Sequence, residues 1–422
     1  MDLAPHRKTA VAIIGAGIVG LMTALEIQRT GRPVVLIDPG EPGGRQAASY
    51  GNAAWISSSA IMPISVPGMW RQALRFLMNP SGPFVIRWAY LPRLLPWLVR
   101  FVRAGRKWAQ VEECAKVRFE LCRDSLKDHQ DVAAEAGVSH LIERKGQLVI
   151  YRDRAEFLAD ALAWKLRQRF GIKFTELDGI DLHALEPNLS ERYQHGVWVE
   201  GSHCTDVKAY CEAIAGLIRR RGGQFLVARA TGFVISHGCL MAVKLDEFTV
   251  ECAQAVVTAG IGSKELAAAA GDHVPLESER GYHVVIADDG RTISHPIMPF
   301  DGKMGMTPVR QGLRIAGQVE LASVAAAADW RRAEILHRWV SRVLRAPFDG
   351  GKTIDRWMGH RPSTPDGLPC IGAARSCRGL FYGFGHGHSG LTQAPATARL
   401  LAALVAGHEP DYGASAMSVH RF

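Results

Sequence analysis

The chain has 422 residues, of which 47% are apolar and 22% charged, and its formal charge is +9. At roughly 100–200 residues per domain, this length allows two or three domains and a sizeable core, and the composition excludes a disordered or fibrous chain. No run reaches the roughly 18 uncharged apolar residues of a spanning helix, and Met1–Thr9 lacks the charged-then-apolar-then-small pattern of an export signal.

The first strong pattern is Val11-Ala12-Ile13-Ile14, a continuous apolar run of the kind found in a parallel strand buried on both faces. Gly15-Ala16-Gly17-Ile18-Val19-Gly20 follows, then a helical pattern from Leu21 to Arg29 and a second apolar strand, Pro33–Ile37, ending in Asp38. Gly15 permits a tight turn, Gly17 a close approach to pyrophosphate, and Gly20 close helix–strand packing. The helix N-terminus offers N–H groups and positive potential to phosphates. Asp38 can accept hydrogen bonds from ribose hydroxyls. The acid fits either NAD or FAD. The next residues favour FAD, because Pro39–Gly44 breaks the β/α alternation and Arg45–Ala54 is a small polar loop suited to a long extended cofactor.

From Pro42 to Val111 there is no acid, while Arg45, Arg71, Arg75, Arg87, Arg93, Arg100, Arg103, Arg106 and Lys107 supply nine cations. The rest of the chain balances at 41 against 41. A nucleic-acid binder would spread its basic footprint over a recognisable module, so no nucleic-acid partner is expected. Within 82–108, Arg93, Arg100, Arg103 and Lys107 share one helical face. Leu94, Leu98, Phe101 and Val102 form another, with Trp97 nearby. Such a helix can lie on a membrane interface or simply pack on its own domain.

Further helical patterns span 109–136, 154–170, 207–221 and 328–346. Strand-like runs span 146–151, 224–235, 239–244, 254–258, 281–287 and 313–319. The expected architecture is α/β: a Rossmann-like cofactor domain, discontinuous over 1–56, 201–264 and 351–422. A substrate domain over 57–200 and 265–350 would hold an antiparallel sheet with helices on one side. Eight cysteines show no CxxC spacing, so reduced thiols in a cytoplasmic protein are expected.

The segment 357–369 is rich in turn formers. A short strand, Leu380–Phe384, then enters Gly385-His386-Gly387-His388-Ser389-Gly390 and a helix over Leu391–Ala406, a second glycine-rich loop opening a helix.

Over nearly its whole length the sequence resembles the D-amino-acid dehydrogenase branch of the glycine-oxidase and D-amino-acid-oxidase superfamily of flavoproteins. The resemblance rests on Gly15–Gly20 with Asp38, Ser49–Ala54, Val256–Gly260, Arg314–Glu320, Arg361-Pro362 with Thr364–Gly367, and Gly385–Gly387. It implies non-covalent FAD, with the flavin ring between the two domains. Asn52, Ala53, Ala54 and Gly385–Leu391 would flank that ring. Ile18, Val19, Pro39, Arg45, Gln46, Ala48, Ser49, Ala230, Ala259 and Gly260 would contact the rest of the cofactor, Arg45 near the phosphates. Arg361 would hold a substrate carboxylate. Ala54, where this branch often has Gly, and Glu279–His283, closer to hydroxyproline-type relatives, are departures.

The implied chemistry is hydride transfer from an amino acid's Cα to flavin N5, with the amine held neutral. A planar Arg361 fork suits a carboxylate; the alternative is a structural arginine bonding loop carbonyls. Arg314 is read as structural. Tyr282 and His283 sit on opposite faces of a strand. Tyr282 is a candidate carboxylate ligand and His283 a candidate acceptor of the ammonium proton, each weighed against plain packing. His386 is read as a flavin neighbour. His386 and His388 lack a third ligand, so no metal is expected.

The substrate is expected to be a D-amino acid or a cyclic imino acid such as a proline derivative, with electrons passing to a quinone or another acceptor. The alternatives are an oxygen-using oxidase of glycine, sarcosine or N-alkyl amino acids, or a subunit of a larger electron-transfer flavoprotein complex. Peripheral contact of 82–108 with the inner face of the cytoplasmic membrane is a further expectation.

Overall fold

A computed structural model describes residues 10–69, 82–287, 293–345, 352–409 and 412–422; Arg71 and Arg75 lie outside them. The βαβ start forms as the sequence implies. Val11–Ile14, Ile18–Arg29 and Val34–Asp38 follow one another, and both strands are buried because they lie inside a sheet covered on both sides. That sheet has six strands in the order Gln224–Val227, Val34–Asp38, Val11–Ile14, Ala255–Val257, Leu380–Phe384 and Cys370–Ala373. All pairs are parallel except the last. One face packs on helices Ile18–Arg29, Val207–Arg220 and Gly390–Ala406. The other meets a three-stranded antiparallel sheet, Ala230–Ser236, Cys239–Leu245 and Thr249–Glu251.

The expected single run 224–235 is therefore two strands in different sheets. The expected helix 109–136 is likewise two, Trp108–Cys122 and Ser125–Glu135.

The second large sheet has nine strands. Its main path is Thr353–Ser363, Glu277–Ile286, Gly312–Leu321, Gly305–Val309, Ile297–Pro299, Gln147–Tyr151, His195–Val199 and Phe174–Asp178, with Phe84–Ile86 beside Gly312–Leu321. Pairing is antiparallel apart from two parallel contacts. Thr353–Ser363, expected with the cofactor domain, pairs instead with Glu277–Ile286.

Side-chain alternation sorts this sheet into two faces. Leu148, Ile150, Tyr282, Val284, Ile286 and Ile315 pack in one core with helix Arg331–Val343. Gln147, Val149, Ala316 and Gln318 point the other way and line a cavity.

Helix Leu91–Ala104 docks through buried Leu94 and Trp97 and partly buried Leu98 and Phe101. Val102, expected on that face, is 44% exposed and lies outward with Trp88, Leu95 and Val99. Among the described residues, no helix is long and apolar enough to cross a membrane.

Candidate active site

A continuous cavity of about 1000 Å³ runs between the two sheets. One end is walled by Gly15, Gly17, Ile18, Val19, Asp38, Pro39, Gln46, Ala48 and Ser49. The glycines there do what their positions require. Gly15 has φ +108°, and a Cβ on it would fall 2.6 Å from the Thr258 carbonyl oxygen. A Cβ on Gly20 would overlap the Gly15 carbonyl. Gly17 is the N-cap of Ile18–Arg29, and the Ile18 N–H donates to the Ser49 hydroxyl at 3.0 Å. The helix end thus faces the cavity with a polar cap that a phosphate oxygen can replace. Asp38 accepts from the Ala16 and Gly40 N–H groups at 2.7 and 2.9 Å and from the Gln46 amide at 3.0 Å. Ala230, Ala259 and Gly260 also line this end.

The middle of the cavity is walled by Asn52, Ala53 and the loop His386–Leu391. Ala54 takes φ +67°, the left-handed region that Gly adopts without strain, and its methyl is buried beside Ile18–Arg29. Arg314 donates to the carbonyls of Tyr50 and Asn52 at 3.3 and 3.2 Å, clamping this loop, as a structural arginine should. His386 is buried, bonds the Thr397 hydroxyl at 2.9 Å, and is pushed down to about 3 by desolvation, so it stays neutral. His388 pairs with the Glu279 carboxylate at 2.5 Å. That carboxyl stays below its usual range: burial pushes it up, but His388, Arg361 and Ser363 outweigh burial. Gly385 lies behind, in a second cavity of about 260 Å³ that shares the wall His386–Ser389.

At the far end stands Arg361. Its guanidinium crosses over Gly281 and donates to the Gln318 and Gly317 carbonyls at 2.8 and 3.1 Å. Burial lowers it to about 10, opposed by Glu279, so it remains a cation at neutral pH.

Three expected site residues are elsewhere. Tyr282 has the same parity as Val284 and Ile286 and is fully buried under Arg331–Val343. Its hydroxyl donates to Glu320 at 2.6 Å and accepts from the Asp329 N–H at 3.0 Å. His283 takes the opposite face but is stacked between Tyr50 and Trp357, with centroids 5.8 and 5.6 Å away, and bonds Asp355 at 3.2 Å. Desolvation pushes it down to about 4. Neither residue lines the cavity. Arg45, expected near the phosphates, turns outward to Asp355 at 2.8 Å and to the Arg356 carbonyl at 2.6 Å. Two further histidines differ in placement: His203 is fully buried, and His360 lines the cavity and bonds Ser278 at 2.8 Å.

The sequence reading missed Trp164, Arg167, Met298 and Lys303, all in the cavity wall. Trp164 and Arg167 lie three residues apart on helix Arg154–Arg169, a pattern equally typical of a surface helix. Among the described residues, no group of three or more His, Cys, Asp or Glu is placed to hold a metal. All eight cysteines are free thiols.

A strand–glycine–helix cradle facing a glycine-rich loop across one cavity defines a dinucleotide-dependent oxidoreductase. The chain belongs to the FAD dependent oxidoreductase family (DAO), which it matches over residues 10–404. It is 45% identical over 415 residues to a D-amino-acid oxidase from Bradyrhizobium diazoefficiens, covering 98% of both chains. It is 28% identical to a D-amino acid dehydrogenase from Cereibacter sphaeroides, covering 98% of this chain and 95% of that one. Among solved structures it resembles glycine oxidase from Geobacillus kaustophilus (TM-score 0.76, 16% identity, 98% and 99% covered). L-proline dehydrogenase from P. horikoshii is similar in fold (TM-score 0.75, 17% identity, 98% of each). FAD is the cofactor of the family, and the Gly15–Gly17 turn, the helix N-terminus at Ile18 and the Asp38 carboxylate, which line one end of the cavity, fit it.

Proposed function

We propose that this flavoenzyme oxidises an amino acid, either a D-amino acid or a cyclic imino acid such as a proline derivative, held by Arg361. The observation that carries the reading is that a single cavity runs from Gly17 and Asp38 past the loop His386–Leu391 to the Arg361 cation. Bound FAD supplies the two-electron acceptor for the Cα–H bond. The protein's residues bind and orient. Gly15, Gly17, Ser49 and Asp38 would hold the nucleotide, Ala53 and Gly387–Leu391 would lie beside the ring, and Arg361 would fix the substrate carboxylate. Neither Tyr282 nor His283, both packed away from the cavity, is placed to accept the ammonium proton. The imine product hydrolyses to a 2-oxo acid, with release of ammonia from a primary amine.

In this reading the cofactor domain comprises 1–56, 201–264 and most of 351–422, and the remainder binds substrate. Electrons leave to a quinone or another acceptor. Supporting a membrane-borne acceptor, helix Leu91–Ala104 exposes Leu95, Val99 and Val102, continued by Trp88, beside exposed Arg93, Arg100 and Arg103. The second reading, an oxidase using oxygen, draws support from the name of the 45% identical relative.

Anaerobic mixing with a panel of amino and imino acids tests the first reading: a substrate must bleach the oxidised flavin band. Reoxidation with oxygen, then with a short-chain quinone, separates the two acceptors. Failure of every amino and imino acid to bleach the flavin would overturn the proposal.

A further inference from the structure

The cavity has a second basic pole, distinct from Arg361. Helix Arg154–Arg169 places Trp164 and Arg167 on one face, and the Arg167 guanidinium carbon lies 4.4 Å from the Trp164 ring centroid. Its Nε donates to the Ser59 carbonyl at 3.1 Å. Its Nη1 is buried and has no hydrogen-bond partner. A buried guanidinium N–H without an acceptor costs free energy, and such a group in a cavity wall calls for a ligand atom. Lys303 lines the same cavity, within electrostatic reach of Arg167. Lys303 sits in the turn between Ile297–Pro299 and Gly305–Val309, with φ +50°.

Asp160, Glu156 and Asp301 act on Lys303, and Asp160 also acts on Arg167, but none is ion-paired to either. Glu156 is paired with Arg152 and Asp301 with Arg192, Asp160 accepts from the neutral Tyr151 hydroxyl at 2.9 Å, and the Lys303 ammonium lies over the Phe300 ring. No ion pair of Arg167 or Lys303 exists among the described residues. Val149 and Met298 give the same cavity apolar wall surface.

We propose that Arg167 and Lys303 form a second anion-recognising subsite, and that the favoured substrates are amino acids carrying an anionic group on the side chain. This rests on the reading that Arg361 takes the α-carboxylate. A substrate with one carboxylate satisfies Arg361 and leaves Arg167 unpaired. A dicarboxylate satisfies both, and its methylenes lie along the apolar wall.

The test compares D-glutamate with D-glutamine and D-aspartate with D-asparagine, each pair matched in shape and differing in charge. Wild-type enzyme is expected to favour the acid by at least tenfold in kcat/KM, and Arg167→Met to bring that ratio close to one. Lys303→Met, at a more exposed position, is expected to lower it in the same direction. A readout independent of turnover is thermal stabilisation by non-oxidisable anions: glutarate should raise the melting temperature at lower concentration than butyrate, and Arg167→Met should abolish the difference. Equal kcat/KM for acids and amides in the wild type would overturn the proposal. So would an Arg167→Met enzyme that loses acids and amides equally, because Arg167 would then hold the carboxylate common to both. If no amino acid reduces the flavin, it is the broader reading that fails, and the glutarate–butyrate comparison still tests the subsite.

Discussion

The Arg361 guanidinium lies directly over Gly281, in the space that a side chain at position 281 would occupy. Across the ladder Arg361 stands opposite Glu279, so its side chain runs along the sheet over the next cavity-facing residue. Only glycine leaves room for it. Gly281→Ala is therefore expected to displace the guanidinium and raise KM by tenfold or more while flavin content stays normal. Arg361→Ala should remove about 3 kcal/mol of substrate binding, roughly a hundredfold in kcat/KM. Steady-state kinetics on both variants check this, and wild-type KM in each would exclude Arg361 as the carboxylate holder.

Tyr282 yields the opposite expectation. Its hydroxyl bonds Glu320 and Asp329 within a core away from the cavity. Tyr282→Phe should cost about 1–3 kcal/mol of stability, because it leaves a buried carboxylate short of a donor. It should leave KM unchanged. Urea unfolding and kinetics on one preparation separate the two effects.

Stability should fall in mild acid. Desolvation holds His129, His203 and His283 down to about 4, and His386 to about 3. Unfolded histidine titrates near 6.5. Their folded pKa values are depressed, so the unfolded chain binds the extra protons. The stability they contribute is complete above about 6.5 and is lost as pH falls toward 4. Each adds a slope of up to about 1.4 kcal/mol per pH unit in that window. The Asp355 carboxyl, held low mainly by His283, Arg45 and Tyr50 against burial, does not titrate there. Urea midpoints measured from pH 7.5 to 4.5 should drop steadily, and a flat profile would contradict the buried neutral state of these rings.

The helix Leu91–Ala104 has a separate test. Changing Arg93, Arg100 and Arg103 together to Glu should abolish sedimentation with anionic vesicles without altering flavin reduction. Equal sedimentation of variant and wild type would leave this helix a plain surface element.

Several features are local enough to be read directly. Val11–Asp38 is legible because Gly15 takes a positive φ and Gly20 must clear the Gly15 carbonyl five residues before it, and Leu380–Ala406 because a buried strand, a glycine loop and a helix follow in order. Val102 shows the limit: the 3.6-residue period groups it with Leu98, yet it faces outward, because docking through Leu94 and Trp97 sets the rotation of the helix.

By itself the sequence determined the cofactor cradle, since the positive φ of Gly15, the clearance of Gly20 from the Gly15 carbonyl and the bond from the Ala16 N–H to Asp38 all arise inside a single βαβ unit. Tertiary structure alone decided which polar residues face the cavity. Tyr282 and His283 must point to opposite faces, but which face meets the cavity depends on strands and helices hundreds of residues away in places. Helix Arg331–Val343 claims Tyr282, and the stack of Tyr50 and Trp357 claims His283. The same long-range assembly brings Arg167, from an ordinary-looking helix, to the cavity that Lys303 also lines. Alternation can say that two side chains part, and only the packing of distant elements says where each one goes.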